Sequence, residues 1–546
     1  MAHENEPQDT HDHDHQGEAA RNIWFVPSQL MLLVECPADT DEEAMRGWLR
    51  GTLPNISDGS GINPDNPDSE ISIFNQREGQ SIAFITLDIG HNTSPSVNID
   101  SQVITLINWI NSHIRPSDGG DGLRAWSITE GEITASILAA APNWVFGSAT
   151  HQQADGGPGG KPVPPKTSPS APDYEFHLPA AITNLFGAQN EENCKLPVDV
   201  VILDAVPPIT TINTAKIKYP KDPKPGSTAN PLFHNVLTPL NVVRAQTLKT
   251  SLPPSPTTAG QPVYTAKLLS DYDMSDHGLF IAGIIHSIAL NASLHLYETL
   301  NSHGVGSVAT LIKGLEYIVN NLLSSNQRGP RALVVNISQC IGFHKLSDLI
   351  EGSNSMFALF NALLTDSFDL AQYIDLLLKP LKVAIDAVKH SAPADIEVII
   401  IASAGNDGLP GARYPAAYQN VIAVGALDHL GGKAAYSNIP ANGVMVFGGS
   451  TLTVSNLTVT DPDHGLLGVY IGNFPNATAN QAGFARWAGT SFAAAVMSGI
   501  YALQASCNGI TAQQANLGHD PAIAKVQSIK AALANSPDGV KQGALS

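Results

Sequence analysis

Cysteine is scarce in this chain. Cys36, Cys194, Cys340 and Cys507 stand singly among 546 residues, so no C-x-x-C pair points to a zinc or redox centre and nothing suggests a disulfide framework. Charge is also sparse, at 14%, and 29 Lys and Arg against 49 Asp and Glu leave a net charge of −20. A molecule so negative repels phosphate backbones and anionic lipid, which argues against nucleic-acid and membrane partners. The chain has no apolar run of about 18 residues, the length a bilayer-spanning helix needs. Residues 1–16, built largely of His, Asp, Glu and Gln, are the opposite of the basic and then apolar pattern of a secretory signal. The expected location is the cytoplasm, or outside the cell by a route other than Sec.

What is present fits a globular protein. Hydrophobic residues make up 43% and mean hydropathy is −0.01, enough apolar material for a large core in two to four domains at about 150 residues each. Residues 1–24 read as a disordered polar tail, the less favoured alternative being metal chelation by His3, His11, His13 and His15. From residue 29 the pattern alternates: LMLLVEC as a strand, 41–53 as a helix opened by acidic residues, strands at 70–74 and 81–87, a helix at 102–114 and a strand pair over 123–136. That β-α-β-β-α-β order predicts a small α+β ferredoxin-like domain over 25–140. Residues 141–193 are rich in Gly, Pro and Ser and are expected to be a linker. Beyond them, strand-length apolar runs alternate with helical patterns across 194–535, predicting an α/β domain with a parallel sheet and helices on both faces. Insertions at 208–265 and 344–390 are expected as a surface excursion and added helix, and 536–546 as a C-terminal tail.

Four segments of the larger domain carry chemistry. In GTSFAAAVMSG, Ser491 opens a helix of small and apolar residues, where its hydroxyl and its own N–H sit at the positive end of the dipole; Ser is also the ordinary residue for a helix start. In DHGLFIAGII, His277 stands at another apolar helix start, between Asp276 and Gly278. In VDVVILD, carboxylates flank a strand, and the rule that open α/β sheets bind ligands at strand carboxyl ends favours Asp204 over Asp199. VIIIASAGNDG ends a strand in Asn406, which is either an oxyanion donor or ordinary turn chemistry. All four fall at one sheet edge, in the order Asp204, His277, Ser491.

With those segments in place, residues 194–535 resemble the catalytic domain of the subtilases, the subtilisin-like serine proteases. VVILD, HGLFIAGI, ASAGN and GTSFAAA are similar to the family's Asp, His, Asn and Ser blocks, and VVNIS, ending at Ser338, resembles the segment lining its primary specificity pocket. The resemblance implies a serine endopeptidase with Asp204, His277 and Ser491 catalytic, Asn406 in the oxyanion hole and Ser338 binding substrate. It implies no cofactor, and the sequence names no metal-ligand set. The partners it implies are a peptide or protein substrate and the chain's own N-terminal domain, which resembles the family's folding-assisting, inhibitory propeptide. Two other readings share this pattern: a noncatalytic binding protein of the same fold, and a peptide ligase or macrocyclase using the same acyl-enzyme. Three departures from the family pattern stand out: Ala205-Val206 after Asp204, Ala495 in place of Pro, and Gln339-Cys340 in place of Leu-Gly.

Overall fold

The computed structural model describes residues 25–56, 65, 69–75, 79–88, 99–116, 124–148, 159–186, 196–244, 272–324, 331–341, 370–507, 521–534 and 539–542, apart from 168, 226, 455–456 and 477. The polar tail with its histidines, and residues 245–265 and 344–369 of the two insertions, lie outside the described residues.

The N-terminal unit is β1 (Phe25–Pro37), α1 (Glu42–Ile56), β2 (Glu70–Asn75), β3 (Gln80–Asp88), α2 (Ile99–His113), β4 (Arg115–Pro116), β5 (Arg124–Glu130) and β6 (Ile133–Ser148). Its strands are ordered β2-β3-β1-β6-β5-β4, with β1 antiparallel to both β3 and β6. Residues 30–34 are buried throughout, because β1 is central and its sheet is covered on both faces. Trp48 and Leu49 of α1 and Ile104 and Ile107 of α2 belong to the same apolar core.

The larger unit contributes α3 (Ala171–Tyr174), β7 (Phe176–His177), α4 (Ala180–Thr183), β8 (Val198–Ala205), α5 (Ile209–Lys218), α6 (Pro231–Leu237) and β9 (Leu240–Val243). There follow α7 (His277–Ile288), β10 (Ser293–Leu300), β11 (Val305–Ser307), α8 (Val308–Tyr317), β12 (Arg331–Ile337), β13 (Gln339–Ile341), α9 (Leu370–His390), β14 (Ile396–Ser403), β15 (Ile422–Leu427) and β16 (Val444–Phe447). The chain closes with β17 (Thr451–Val454), β18 (Leu457–Thr460), β19 (Leu466–Val469), β20 (Phe484–Trp487), α10 (Thr490–Cys507), α11 (Pro521–Ala534) and β21 (Lys541–Gln542). Seven strands form an all-parallel sheet, β16-β15-β14-β12-β8-β10-β9, so the α/β class holds.

Alternation along β8 divides its side chains between two cores. Val201 and Leu203 pack with α8 and α9, whereas Val200 and Ile202 pack with α7 and α10. Strand order reverses between β8 and β12, which is where open α/β sheets leave a crevice at their carboxyl ends.

The structure differs from the sequence reading in several places. Strand β6 runs past residue 140 to Ser148, because Trp144, Val145 and Phe146 are buried. Its last residues pair antiparallel with both β11 and β13 of the larger unit. The stretch expected as a linker is further tied down where Val163 pairs with Arg486 and where β7 pairs with β21, the latter also taking in the expected C-terminal tail. Part of the expected excursion at 208–265 is built in as well. Ile212, Leu232, Phe233 and Val236 are buried, and β9 is an edge strand of the parallel sheet. Cys36 and Cys340 are thiols outside any disulfide, but Cys507 is disulfide-bonded, where the sparse cysteines gave no ground for a bond.

Candidate active site

Asp204 lies near the carboxyl end of β8, and α7 starts against it. The close approach depends on Gly278, where a Cβ would stand 2.4 Å from the Ala205 carbonyl oxygen. With α7 so near, His277 Nδ1 meets Asp204 Oδ1 at 2.8 Å. The Ala205 N–H donates to the same oxygen at 2.7 Å, so the backbone supports the carboxylate even with alanine after it. The His277 ring stands edge-to-face on Trp487 (centroids 5.3 Å apart, planes at 83°) and is tilted against Phe492 at 5.2 Å. Asp204, His277 and Ser491 are all fully buried.

Ser491 is the second residue of α10, and its hydroxyl donates to the Ser338 carbonyl at 3.3 Å. The Ser338 hydroxyl in turn reaches Asn336 Oδ1 at 3.0 Å and the Ser491 carbonyl at 3.3 Å, while Asn336 Nδ2 donates to Ser498. Strand β12 and helix α10 are therefore latched together beside the nucleophile candidate. Asn406 follows β14, and its Oδ1 accepts from Thr490 N–H at 2.9 Å and Thr490 Oγ1 at 3.0 Å. Those bonds orient the amide, since Oδ1 is committed to the helix start and Nδ2 is the donor end. Gly159 lies against that end: a Cβ there would be 3.4 Å from Asn406 Nδ2 and 2.9 Å from the Ala488 carbonyl oxygen.

Structure thus gathers Asp204 with His277, Ser491 with Ser338, and Asn406 with the start of α10, and the Phe492 ring joins the first pair to the second. Asp199 is at the other end of β8, paired with Arg331 at 3.2 Å. Sequence reasoning did not single out Trp487 and Phe492, which wall the imidazole, or the structural part played by Asp276. The Asp276 carboxyl accepts from the N–H groups of Ile471 (2.8 Å) and Gly472 (2.6 Å), yet burial outweighs those donors and pushes it up to about 7. Burial likewise pushes the Cys340 thiol up to about 12, which keeps it protonated and unreactive beside the cleft.

Residues 261–544, just over half the chain, match the Peptidase_S8 description, Subtilase family. The chain belongs to the subtilase family. As a member it is a subtilisin-like serine protease, and the matched span takes in His277, Asn406, Ser338 and Ser491 while starting beyond Asp204. The contact with His277 is therefore what speaks for that carboxylate. This subtilase is 26% identical to Subtilisin DY of Bacillus licheniformis over 233 residues, 38% of this chain and 68% of that protein. It is 24% identical to the Thermostable alkaline protease of Halalkalibacterium halodurans over 243 residues, 41% of this chain and only 54% of that protein's length. Among solved structures, a Lanthipeptide Protease shares 19% identity, with 61% of this chain and 84% of that one covered at a TM-score of 0.35. The protease domain of PatA shares 21%, with 57% and 80% covered at 0.30. Scores that low do not bear on the site. No helix of the described residues is long and apolar enough to cross a membrane.

Proposed function

We propose that this subtilase hydrolyses peptide bonds through an acyl-enzyme on Ser491, and that its N-terminal unit occupies the cleft until the chain is cut. The observation that carries the reading is the 2.8 Å contact between Asp204 Oδ1 and His277 Nδ1. A carboxylate there accepts a hydrogen bond from Nδ1–H, fixes the tautomer and leaves Nε2 as the basic nitrogen. Ser491 Oγ turns from the Ser338 carbonyl, gives its proton to His277 Nε2 and attacks the scissile carbonyl carbon. The resulting oxyanion accepts from the Ser491 N–H and from Asn406 Nδ2, while Asp204 offsets the imidazolium charge. His277 then protonates the leaving amine as the C–N bond breaks, and water repeats the sequence to release the acid.

The pairing of β6 with the larger unit is what favours self-inhibition. Strand β6 adds to β11 on one side and β13 on the other, with Gly147 opposite both Val305 and Cys340, which is how an extended peptide is held by backbone pairing. Residues 145–147 then stand where substrate backbone runs. Ser148 pairs with Gln339 and Gly159 lies against Asn406, so the bond to be cut is assigned between Ser148 and Gly159. A fluorophosphonate probe tests the chemistry, with wild-type and variant chains both cut beforehand by an added protease. The expected result is a single adduct on Ser491 that is lost in His277→Ala; no adduct, or one elsewhere, overturns the reading.

A further inference from the structure

Away from the triad, His429, Asp461 and His464 bring their ligand atoms within 4.8 Å of one another. The three come from two loops: His429 follows β15, and Asp461 and His464 follow β18. The two imidazoles stack with centroids 3.8 Å apart and planes 13° from parallel. Each has its Nδ1 engaged, His464 with Asp461 Oδ2 at 2.9 Å and His429 with Ser450 Oγ at 2.8 Å. Nε2 is then the ligand nitrogen of both rings, and a carboxylate or hydroxyl on the far nitrogen is the support that metal-binding histidines have. The loops are fixed as well. Asp461 Oδ1 accepts from the N–H groups of Asp463 (2.8 Å) and His464 (3.3 Å), and Ser450 is bonded by its backbone to His464 (3.0 Å) and Asp461 (2.9 Å).

We propose that His429 and His464 bind one divalent ion of the zinc type through Nε2, with Asp461 as the supporting carboxylate and water completing the shell. Two imidazole nitrogens select zinc, copper or nickel over calcium or magnesium, which take oxygen shells. Ligand nitrogens stand roughly 3.3 Å apart around tetrahedral zinc, so the stacked rings reach one ion by tilting about χ2. His464 is 46% exposed and has room to tilt. Bound there, the ion fastens the turn at His429 to the 461–465 loop. That loop and the end of β18 also hold the segment after β6, through the Lys166–Asp463 ion pair and the packing of Gly160 on Thr460.

The proposal does not depend on catalysis, and its test reads binding. The sample is full-length chain carrying Ser491→Ala to prevent self-digestion and Ala in place of His3, His11, His13 and His15, which remove a competing chelator in the tail. Titration calorimetry with zinc chloride after chelator treatment is expected to show one ion per chain and a raised unfolding temperature. His429→Ala and His464→Ala are each expected to weaken binding at least tenfold while leaving the zinc-free unfolding temperature unchanged. Asp461→Asn is expected to weaken it about 10- to 100-fold, the size of a lost supporting carboxylate. Absence of binding, or equal binding by both histidine variants, overturns the proposal.

Discussion

Asp276 and His277 are adjacent in sequence and opposite in use. His277 faces Asp204, whereas the Asp276 carboxyl is buried against two backbone N–H groups of the Ile471 loop and is pushed up to about 7 from its usual 3.8. An acid raised on folding contributes stability that is fully present below 3.8 and is lost as pH rises through about 7. On the Ser491→Ala background, the unfolding temperature is therefore expected to fall relative to Asp276→Asn between about pH 4 and 7 and to run parallel above it. Equal slopes over that window would contradict the burial account. Asn406→Ala is expected to fold and to lose about 100- to 1,000-fold in kcat on a denatured protein substrate, a magnitude belonging to subtilisin's own oxyanion donor, in the same family. Full turnover would remove Asn406 from the oxyanion hole. Residues carrying short motifs, such as His277, Asn406 and Ser491, were legible from sequence. Trp487, Phe492 and the His429 cluster were not, because side-chain direction and contacts across about 30 residues or more are fixed by packing rather than by local pattern.

Elements were legible wherever burial was uniform. The apolar runs VVIL, ALVV and VIIIA within β8, β12 and β14 mark strands covered on both faces, and the small residues after Ser491 mark a helix packed on all sides. Strand β6 was not legible to its end, since Pro142 and the Gly-rich residues beyond it read as linker, while Trp144 and Phe146 find burial only against distant helices. The packing of α7 on β8 is the element-scale claim that matters most. Gly278→Ala puts a methyl 2.4 Å from the Ala205 oxygen, so the helix must move and carry His277 from Asp204. The expected outcome is about 1–3 kcal/mol of lost stability by denaturant unfolding, together with loss of hydrolysis out of proportion to the folded fraction. A stable, fully active variant would show that the close approach is not needed.

At the scale of the whole molecule, one apolar core runs from the N-terminal sheet through α8 and α9, joined by Trp144 Nε1 to the Leu377 carbonyl at 3.0 Å and Lys313 Nζ to the Ile71 carbonyl at 3.1 Å. One backbone cut removes the covalent tether but not this interface, so release of residues 25–148 is expected to follow cleavage and to set when activity appears. Sequence pattern conveyed the two architectures but not their junction, because the pairing of β6 with β11 and β13 joins segments more than 150 residues apart. The most direct measurement sets purified wild-type chain beside Ser491→Ala on a denaturing gel, with N-terminal sequencing of any product. Wild type is expected to yield a fragment beginning within 149–159, and Ser491→Ala to remain a single chain of 57.5 kDa. Identical cleavage of both chains, or no cleavage of the wild type, would contradict a nucleophilic Ser491 acting on its own N-terminal unit.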